Sequence, residues 1–385
     1  MADWSYGVND AATVKIYSHR LFAQAIQATT IWKLAGIAPS KDSPDNICQL
    51  LDETQKTEGD NIKYDLIAKL QGPGVIGDNT LAGNEESLKT YQDNLNINQL
   101  RHAVLPFGAM SQQRVPFSMR DMSKMRLSDW WAERLDLSLI NQLTGNTSGL
   151  FGADTSYKYT GMNGTVLPDA DHYVLANSRG QEHASVGITG SGSNPLASGD
   201  TFKLSLIDKC VAKAHTLTTP IKPLRLKGME VFGALFLHPL QIKSLRADTN
   251  TNMWFDIQKA AMTGGQITGN PIFTGAIGMY NNVVIHEDTR IPYGSDAGAL
   301  AADGVTYQYN PVGIAGVARG VFCGAQSCCM AFGRAYGSDT RIKWFEELLD
   351  GGNQLRISAG MIFGLKKTRF NSVDYATISV SSYEE

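Results

Sequence analysis

From Leu127 onward a large apolar residue recurs at every fourth position, through Trp131, Leu135 and Leu139 to Leu143. Trp130, Leu137 and Ile140 widen that surface beyond a single stripe. This is the helical period. Ser118 and Asp121 form an S-x-x-D capping box ahead of the run, and Gly145 closes it with a residue suited to a left-handed cap. The spacing predicts a helix of about 25 residues, roughly 37 Å at 1.5 Å per residue. Because it is apolar on more than one side, it should be a central beam with other elements packed around it. Trp130 and Trp131 are expected to pack on opposite sides of that beam.

Upstream the pattern changes. Ile62, Tyr64 and Leu66 alternate with polar residues, as do Leu95 and Ile97 before Leu100. Between them Gly72, Pro73, Gly74, Gly77 and Gly83 interrupt any regular element. The simplest reading is a long two-stranded hairpin with a glycine-rich tip, Ile62 to His102. An isolated hairpin is marginally stable, so a chain with such an arm should pack it against a partner. The first sixty residues read as helical, with Leu21, Ala25, Ile26, Ile31, Trp32 and Leu34 on one face, and a helix so placed frays unless it docks.

Residues 146–200 are rich in Gly, Ser, Asn, Thr and Asp and read as a long open insertion. A short helix is expected around Leu204 to His215, then a strand from Glu230 to Leu237 that turns into a helix at His238-Pro239. Val283 to His286, Ile357 to Phe363 and Ala376 to Val380 read as further strands. The mixture is α+β, without a repeating βαβ rhythm.

Charge excludes one class of function. The 34 Lys plus Arg against 37 Asp plus Glu leave a net charge of -3, whereas binding nucleic acid by phosphate neutralisation calls for a basic chain or tail. Any DNA contact should therefore be local and sequence-independent. The N-terminal MADWSYGVND carries no signal-peptide pattern, and no apolar run reaches the roughly 20 residues of a membrane helix. The five cysteines, Cys48, Cys210, Cys323, Cys328 and Cys329, are odd in number and scattered, which fits a reducing cytosol.

Candidate sites are weak. The P-loop, the G-x-S-x-G elbow and the H-E-x-x-H pair are all missing from the sequence. Gly313, Gly316 and Gly320 have the wrong spacing for a dinucleotide loop and read as close backbone packing. Cys323, Cys328 and Cys329 lack a second ligand pair for zinc and read as buried small side chains. His286, Glu287 and Asp288 could be drawn as an acid–base cluster, but a strand end with solvated carboxylates explains them as well. Lys222, Arg225 and Lys227, and Lys366, Lys367 and Arg369, could touch phosphate, but without interleaved aromatics they read as solvated edges or intersubunit salt bridges. No catalytic, cofactor-binding or metal-binding residue is assigned, and no cofactor is expected.

Several stretches in one order carry a resemblance: LQGPGVIGDNTLAGNEESL, NLNINQLRHAV, MSQQRVPFSMR, LSDWWAERLD, LTGNTSG, ALFLHPLQIKSLR and GLKKTRFN. Together, from about residue 15 to residue 380, they resemble the major capsid protein family of phages like coliphage N-four. The resemblance implies an HK97-like capsid fold. Residues 1–60 would be the N-arm and 61–108 the E-loop hairpin. Residues 109–219 would form the peripheral domain, with spine helix 121–143 and the insertion 146–200. Residues 220–335 would be the axial domain, and 336–385 C-terminal strands of the peripheral domain. It implies a structural protein, not an enzyme, that assembles with itself into hexamers and pentamers of an icosahedral shell. Scaffolding, decoration and portal proteins and packaged double-stranded DNA, held by non-specific contact, are the implied partners, with no membrane. The implied location is the virion, after synthesis in the host cytoplasm. A cellular compartment shell of the same fold, and an enzyme with a site near His286 or Cys323, are the competing readings.

Overall fold

The structure is a computed structural model that describes residues 21, 24–25, 46–51, 59–67, 70, 72, 74–106, 108–146, 159–176, 200–226, 229–231, 233–247, 276–293, 317–334 and 341–384. The beam expected from the sequence is its central element. After a short helix, α1 (Ala109–Arg114), the long helix α2 runs over Met119–Thr144. The Ser118 hydroxyl accepts the Asp121 N–H at the N-cap, a contact of the kind that stabilises a helix by about 1 kcal/mol. Gly145 ends the helix at φ 68°, where a Cβ would also meet the Pro168 ring.

Two sheets flank α2. The first has five strands: β1 (Cys48–Leu51), β4 (Asn98–Val104), β12 (Cys328–Phe332), β13 (Ile342–Leu349) and β14 (Gln354–Lys367), while β2 (Asn61–Ile67) and β3 (Thr90–Asn96) pair only with each other. β14 is the hub. It pairs antiparallel with β13 over Gln354–Met361, with β4 over Ile357–Phe363 and with β12 over Phe363–Lys367. Its buried residues Ile357, Ala359, Met361, Phe363 and Leu365 keep period two and face Leu127, Trp131, Leu135 and Leu139 of α2 in one core. Trp131 is fully buried, edge-on to Phe363.

The second sheet has the order β5-β17-β11-β8-β10-β9. These strands are β5 (Tyr173–Leu175), β8 (Gly233–Leu237), β9 (Ala276–Tyr280), β10 (Val283–Glu287), β11 (Val317–Cys323) and β17 (Thr377–Tyr383). Small ribbons, β6 (Leu224–Leu226) with β7 (Met229–Val231) and β15 (Arg369–Phe370) with β16 (Val373–Asp374), complete the set. The second sheet is covered on both sides. Ala234, Phe236, Val321 and Cys323 join the core around α2, whereas Leu235, Leu237 and Phe322, each one residue over, join a second core. There they meet α3 (Leu204–Thr216) and α4 (Pro239–Ala247) through Ile207, Cys210, Ile242 and Leu245. The outcome is a mixed α+β body with α2 between two sheets.

Several expectations need correction. Most of the N-terminal helix lies outside the described residues, although Leu21 and Ala25 are helical and buried in the α2 core. Cys48–Leu51 is a strand, not part of a helix, because it lies parallel to β12 and buries Cys48 and Leu50. Within the insertion, Tyr173–Leu175 is a wholly buried strand beside β17, because its three apolar residues extend a sheet already built from later sequence. Trp130 and Trp131 do not take opposite sides. Their rings meet at 5.1 Å, and Trp130 stacks on His102 of β4 at 4.2 Å, since neighbouring residues on a helix point only about 100° apart.

Candidate assembly surfaces

β2 and β3 form a regular antiparallel ribbon in the register Asn61↔Asn96 to Ile67↔Thr90. The hairpin is shorter than the sequence suggested. Past Asn96 the chain leaves the ribbon, the Ile97 N–H donates to the Asp60 carbonyl, and β4 joins β14 in the body. At the root of this arm Ile62 and Leu95 are buried against Leu51, Cys329 and Ala331. Asp93 anchors the root: it accepts from Lys366 Nζ at 2.5 Å and from the Tyr64 hydroxyl at 2.7 Å. Asn163 binds the other side, accepting from Asn96 N–H at 3.0 Å and donating to the carbonyls of Asn96 and Leu365.

Beyond the root the arm exposes its apolar residues. Ile67, Leu70, Ile76, Leu81 and Leu88 are all solvent-facing, Ile76 at 82%. The tip has its own internal bonds, among them Gly72 N–H to Glu86, Asn79 to the Ile76 carbonyl and Asn84 to the Thr80 carbonyl. Residues 72–88 carry Asp78, Glu85 and Glu86 and no Lys or Arg.

The second exposed apolar surface lies where α1 turns into α2. Leu105, Met110, Phe117, Met122 and Met125 face solvent there, Met110 at 65%. Gln112 braces this elbow by donating to the Phe117 carbonyl and accepting the Met119 N–H. Arg120 ties it to the body by a 2.7 Å pair with buried Glu346, which also accepts Trp344 Nε1–H. Residues 105–126 carry Arg114, Arg120, Lys124 and Arg126 against Asp121 alone. Tip and elbow therefore have opposite charge. The elbow escaped the sequence reading, although Met119, Met122 and Met125 recur every third residue off the Leu127–Leu143 face.

The basic stretches, the His286 cluster, the cysteines and the glycine run lie apart from the tip and the elbow in sequence. Lys366 and Lys367 are neither solvated nor free for a partner, because each meets a carboxylate of its own chain: Lys366 pairs with Asp93, and Lys367, 2% exposed, lies 2.7 Å from Asp374. Arg369 shares Asp374 at 2.9 Å. Lys222 is exposed and its carbonyl accepts the Ala325 N–H, while Lys227 lies outside the described residues. His286 is buried and stacks on Phe236, and Glu287 is exposed. Asp288 is not solvated as expected: it is buried, its pKa is pushed up by that burial, and it accepts the Arg290 N–H, while Arg290 reaches on to Asp136 of α2 at 2.9 Å. All five cysteines are buried thiols, and burial raises Cys210, Cys323, Cys328 and Cys329 above the usual thiol range, which makes them poor nucleophiles at neutral pH. Gly320 is a close approach, since a Cβ would fall 2.8 Å from the Phe236 carbonyl; Gly313 and Gly316 lie outside the described residues. Among the described residues no His, Cys, Asp and Glu group could hold a metal, and no helix is long and apolar enough to cross a membrane.

A two-sheet body around one long helix, with a protruding ribbon arm, is the HK97-like class of capsid subunit. The capsid of Ralstonia phage GP4 superimposes with a TM-score of 0.71 at 26% identity, over 100% of this chain and 96% of that one. The cyanophage Pam1 capsid gives 0.66 at 19% identity, over 100% and 99%. The major capsid protein of Pseudomonas phage KPP25 is 28% identical over 363 residues, 93% of this chain and 90% of its own length. The phage capsid protein family matches residues 5–385, and the chain belongs to it. It is thus a structural component of a phage virion, and these relatives favour the viral shell over a cellular compartment shell.

Proposed function

We propose that the chain is the major capsid protein of its phage and that it builds an icosahedral shell of hexamers and pentamers around double-stranded DNA. The observation that carries the assembly reading is that one chain bears both halves of a head-to-tail contact. The arm tip is apolar and acidic, the elbow apolar and basic, and they lie on different parts of the subunit. A contact between two different surfaces of identical subunits generates rings when the rotation closes. The arm of one copy lies across the elbow of the next, and the exposed aliphatic residues are buried only then. Permanent interfaces of this type commonly bury roughly 2,000–5,000 Å².

In this reading residues 1–60 act as an N-arm, 61–108 contain the E-loop, 109–219 with 336–385 make the peripheral domain, and 220–335 make most of the axial domain. The subunit is made in the host cytoplasm and assembles there with scaffolding and portal proteins, and decoration proteins add to the finished shell. DNA is held by non-specific contact, and no step requires a catalytic group.

Negative-stain electron microscopy after size-exclusion chromatography tests the assembly. The native sequence should give closed shells or rings of five and six, and the double variant Ile76→Ser/Leu81→Ser should give folded subunits that do not close. Uniform monomers from the native sequence, even when a scaffolding protein is co-expressed, would overturn the reading.

A further inference from the structure

A cleft of about 240 Å³ separates the arm root from the body. Leu66 and Tyr91 of the arm form one wall, Phe370 and Val373 of the β15–β16 hairpin another, and Leu217 at the end of α3 a third. His172 and Asp374 also line it. The hairpin is the piece that touches both sides. Its Phe370 ring meets Tyr64 of the arm edge-on at 5.8 Å and Tyr375 of the body at 5.5 Å. Its turn, Asn371 and Ser372, is left-handed at both positions. Its side-chain anchor is one buried carboxylate, Asp374, shared by Lys367 and Arg369, while the Arg369 backbone N–H donates to Asp93 of the arm.

His172 stands beside this group. It is 3% exposed, and its Nδ1 has no hydrogen-bond partner among the described residues. The charges that face it are Asp169 and Asp171 from its own turn and Asp374 and Lys367 from the body strands. Lys367 in turn lies in the field of buried Arg319 on β11. The arm and α3 contribute no charged residue to the cleft lining. Burial pulls the imidazole below its ordinary pKa, so at neutral pH it is uncharged.

We propose that the β15–β16 hairpin is an acid-sensitive lever on the arm, worked by protonation of His172. With neutral His172, Asp374 balances two neighbouring cations, Lys367 and Arg369. A proton on Nδ1 makes the imidazole a third cation, drawn to Asp374 as well as to Asp169 and Asp171, so that it competes with Arg369 for Asp374 and draws water toward a site that excludes it. Arg369, at 18% side-chain exposure, is the cation best placed to move into solvent, whereas Lys367 is enclosed. When the Arg369 guanidinium leaves, the hairpin loses its charged anchor and Phe370 supports Tyr64 less firmly. The arm root is then held by Asp93 with Lys366, by Asn163 and by the burial of Ile62 and Leu95, without the Phe370 prop. The element has two arrangements and one titrating group that biases them. The direction follows from linkage. A histidine whose folded pKa is depressed contributes stability above its unfolded value, near 6.5, and loses it as the pH falls toward the folded value.

The lever acts on the arm used in the assembly reading, but it can be read on unassembled full-length subunits, so the two can fail separately. Hydrogen exchange by mass spectrometry at pH 7.5 and 5.5, with times scaled for intrinsic rates, is the test. Peptides covering 61–67, 90–96 and 368–376 should exchange several-fold faster at pH 5.5, while peptides from α2 do not change. In His172→Gln they should stay slow at both values; His172→Phe replaces it if Gln does not fold. Asp374→Asn should make them fast at both. Equal protection of the native arm root at the two pH values, or a pH response that survives in the His172 variant, would overturn the proposal.

Discussion

The arm and the five-stranded sheet are made of the same alternating kind of strand, but only the sheet covers its apolar side. In β14 every second residue from Ile357 to Leu365 lies buried toward α2. In β2 and β3 the ladder is as regular, yet burial stops at Ile62 and Leu95, and Ile67 is left in water. Backbone pairing sets the shape of both, whereas burial stabilises only the one with a helix beneath it. The difference separates folding from assembly. Apolar residues facing α2 stabilise the subunit, and those on the arm and elbow are available to hold subunits together.

The largest effect is expected where the sheet meets the helix. Trp131→Ala removes the ring against Phe363 and should cost about 3–5 kcal/mol in urea unfolding of the subunit, enough to leave much of it unfolded. At the boundary between the two regions, Lys366→Met leaves Asp93 with the Tyr64 hydroxyl and the Arg369 N–H. It should cost roughly 1–3 kcal/mol, with the loss of protection confined to the arm root in hydrogen exchange. The smallest effect is expected at the tip. Leu88→Ser should change the unfolding free energy of the isolated subunit by less than about 0.5 kcal/mol. A shift there as large as that of Lys366→Met would mean that the tip already packs on its own body, and the contrast between the regions would fail.

What could be read from the sequence depended on distance along the chain. The α2 helix was legible to within two residues because its period, its Ser118 cap and its Gly145 stop are local signals. The strand expected over Val283 to His286 was legible for the same reason, whereas the one expected over Glu230 to Leu237 is divided between β7, which pairs with β6, and β8 in the six-stranded sheet. β1 and β5 were not legible, since segments of four and three residues become strands only when β12 and β17 offer them an edge. The adjacent Lys366 and Lys367 looked like a solvated basic edge. On a strand they point to opposite faces, and the carboxylate that meets Lys366 lies 273 positions away. Of the assembly surfaces, the arm was visible in its alternation and glycines, although its ladder closes at Asn96 rather than His102. The elbow was not, because exposed methionines on a helix become informative only when the buried face is known.

The position of β14 and β17 near the far end of the chain sets an order in time. Each lies inside its sheet, so the five-stranded sheet lacks its hub until β14 is made and the six-stranded sheet is incomplete until β17 is made. On the ribosome more than two hundred residues separate the end of α2 from the end of β14, roughly 10–45 s at 5–20 residues per second. For that interval the apolar face of α2 lacks the complete β14, and loop closure over such spans is slow. The same late residues finish the docking parts: Lys366 and Phe370 fix the arm root, and Glu346 and Asn353 fix the elbow. A growing chain therefore has no finished arm root or elbow to offer its neighbours on the polysome.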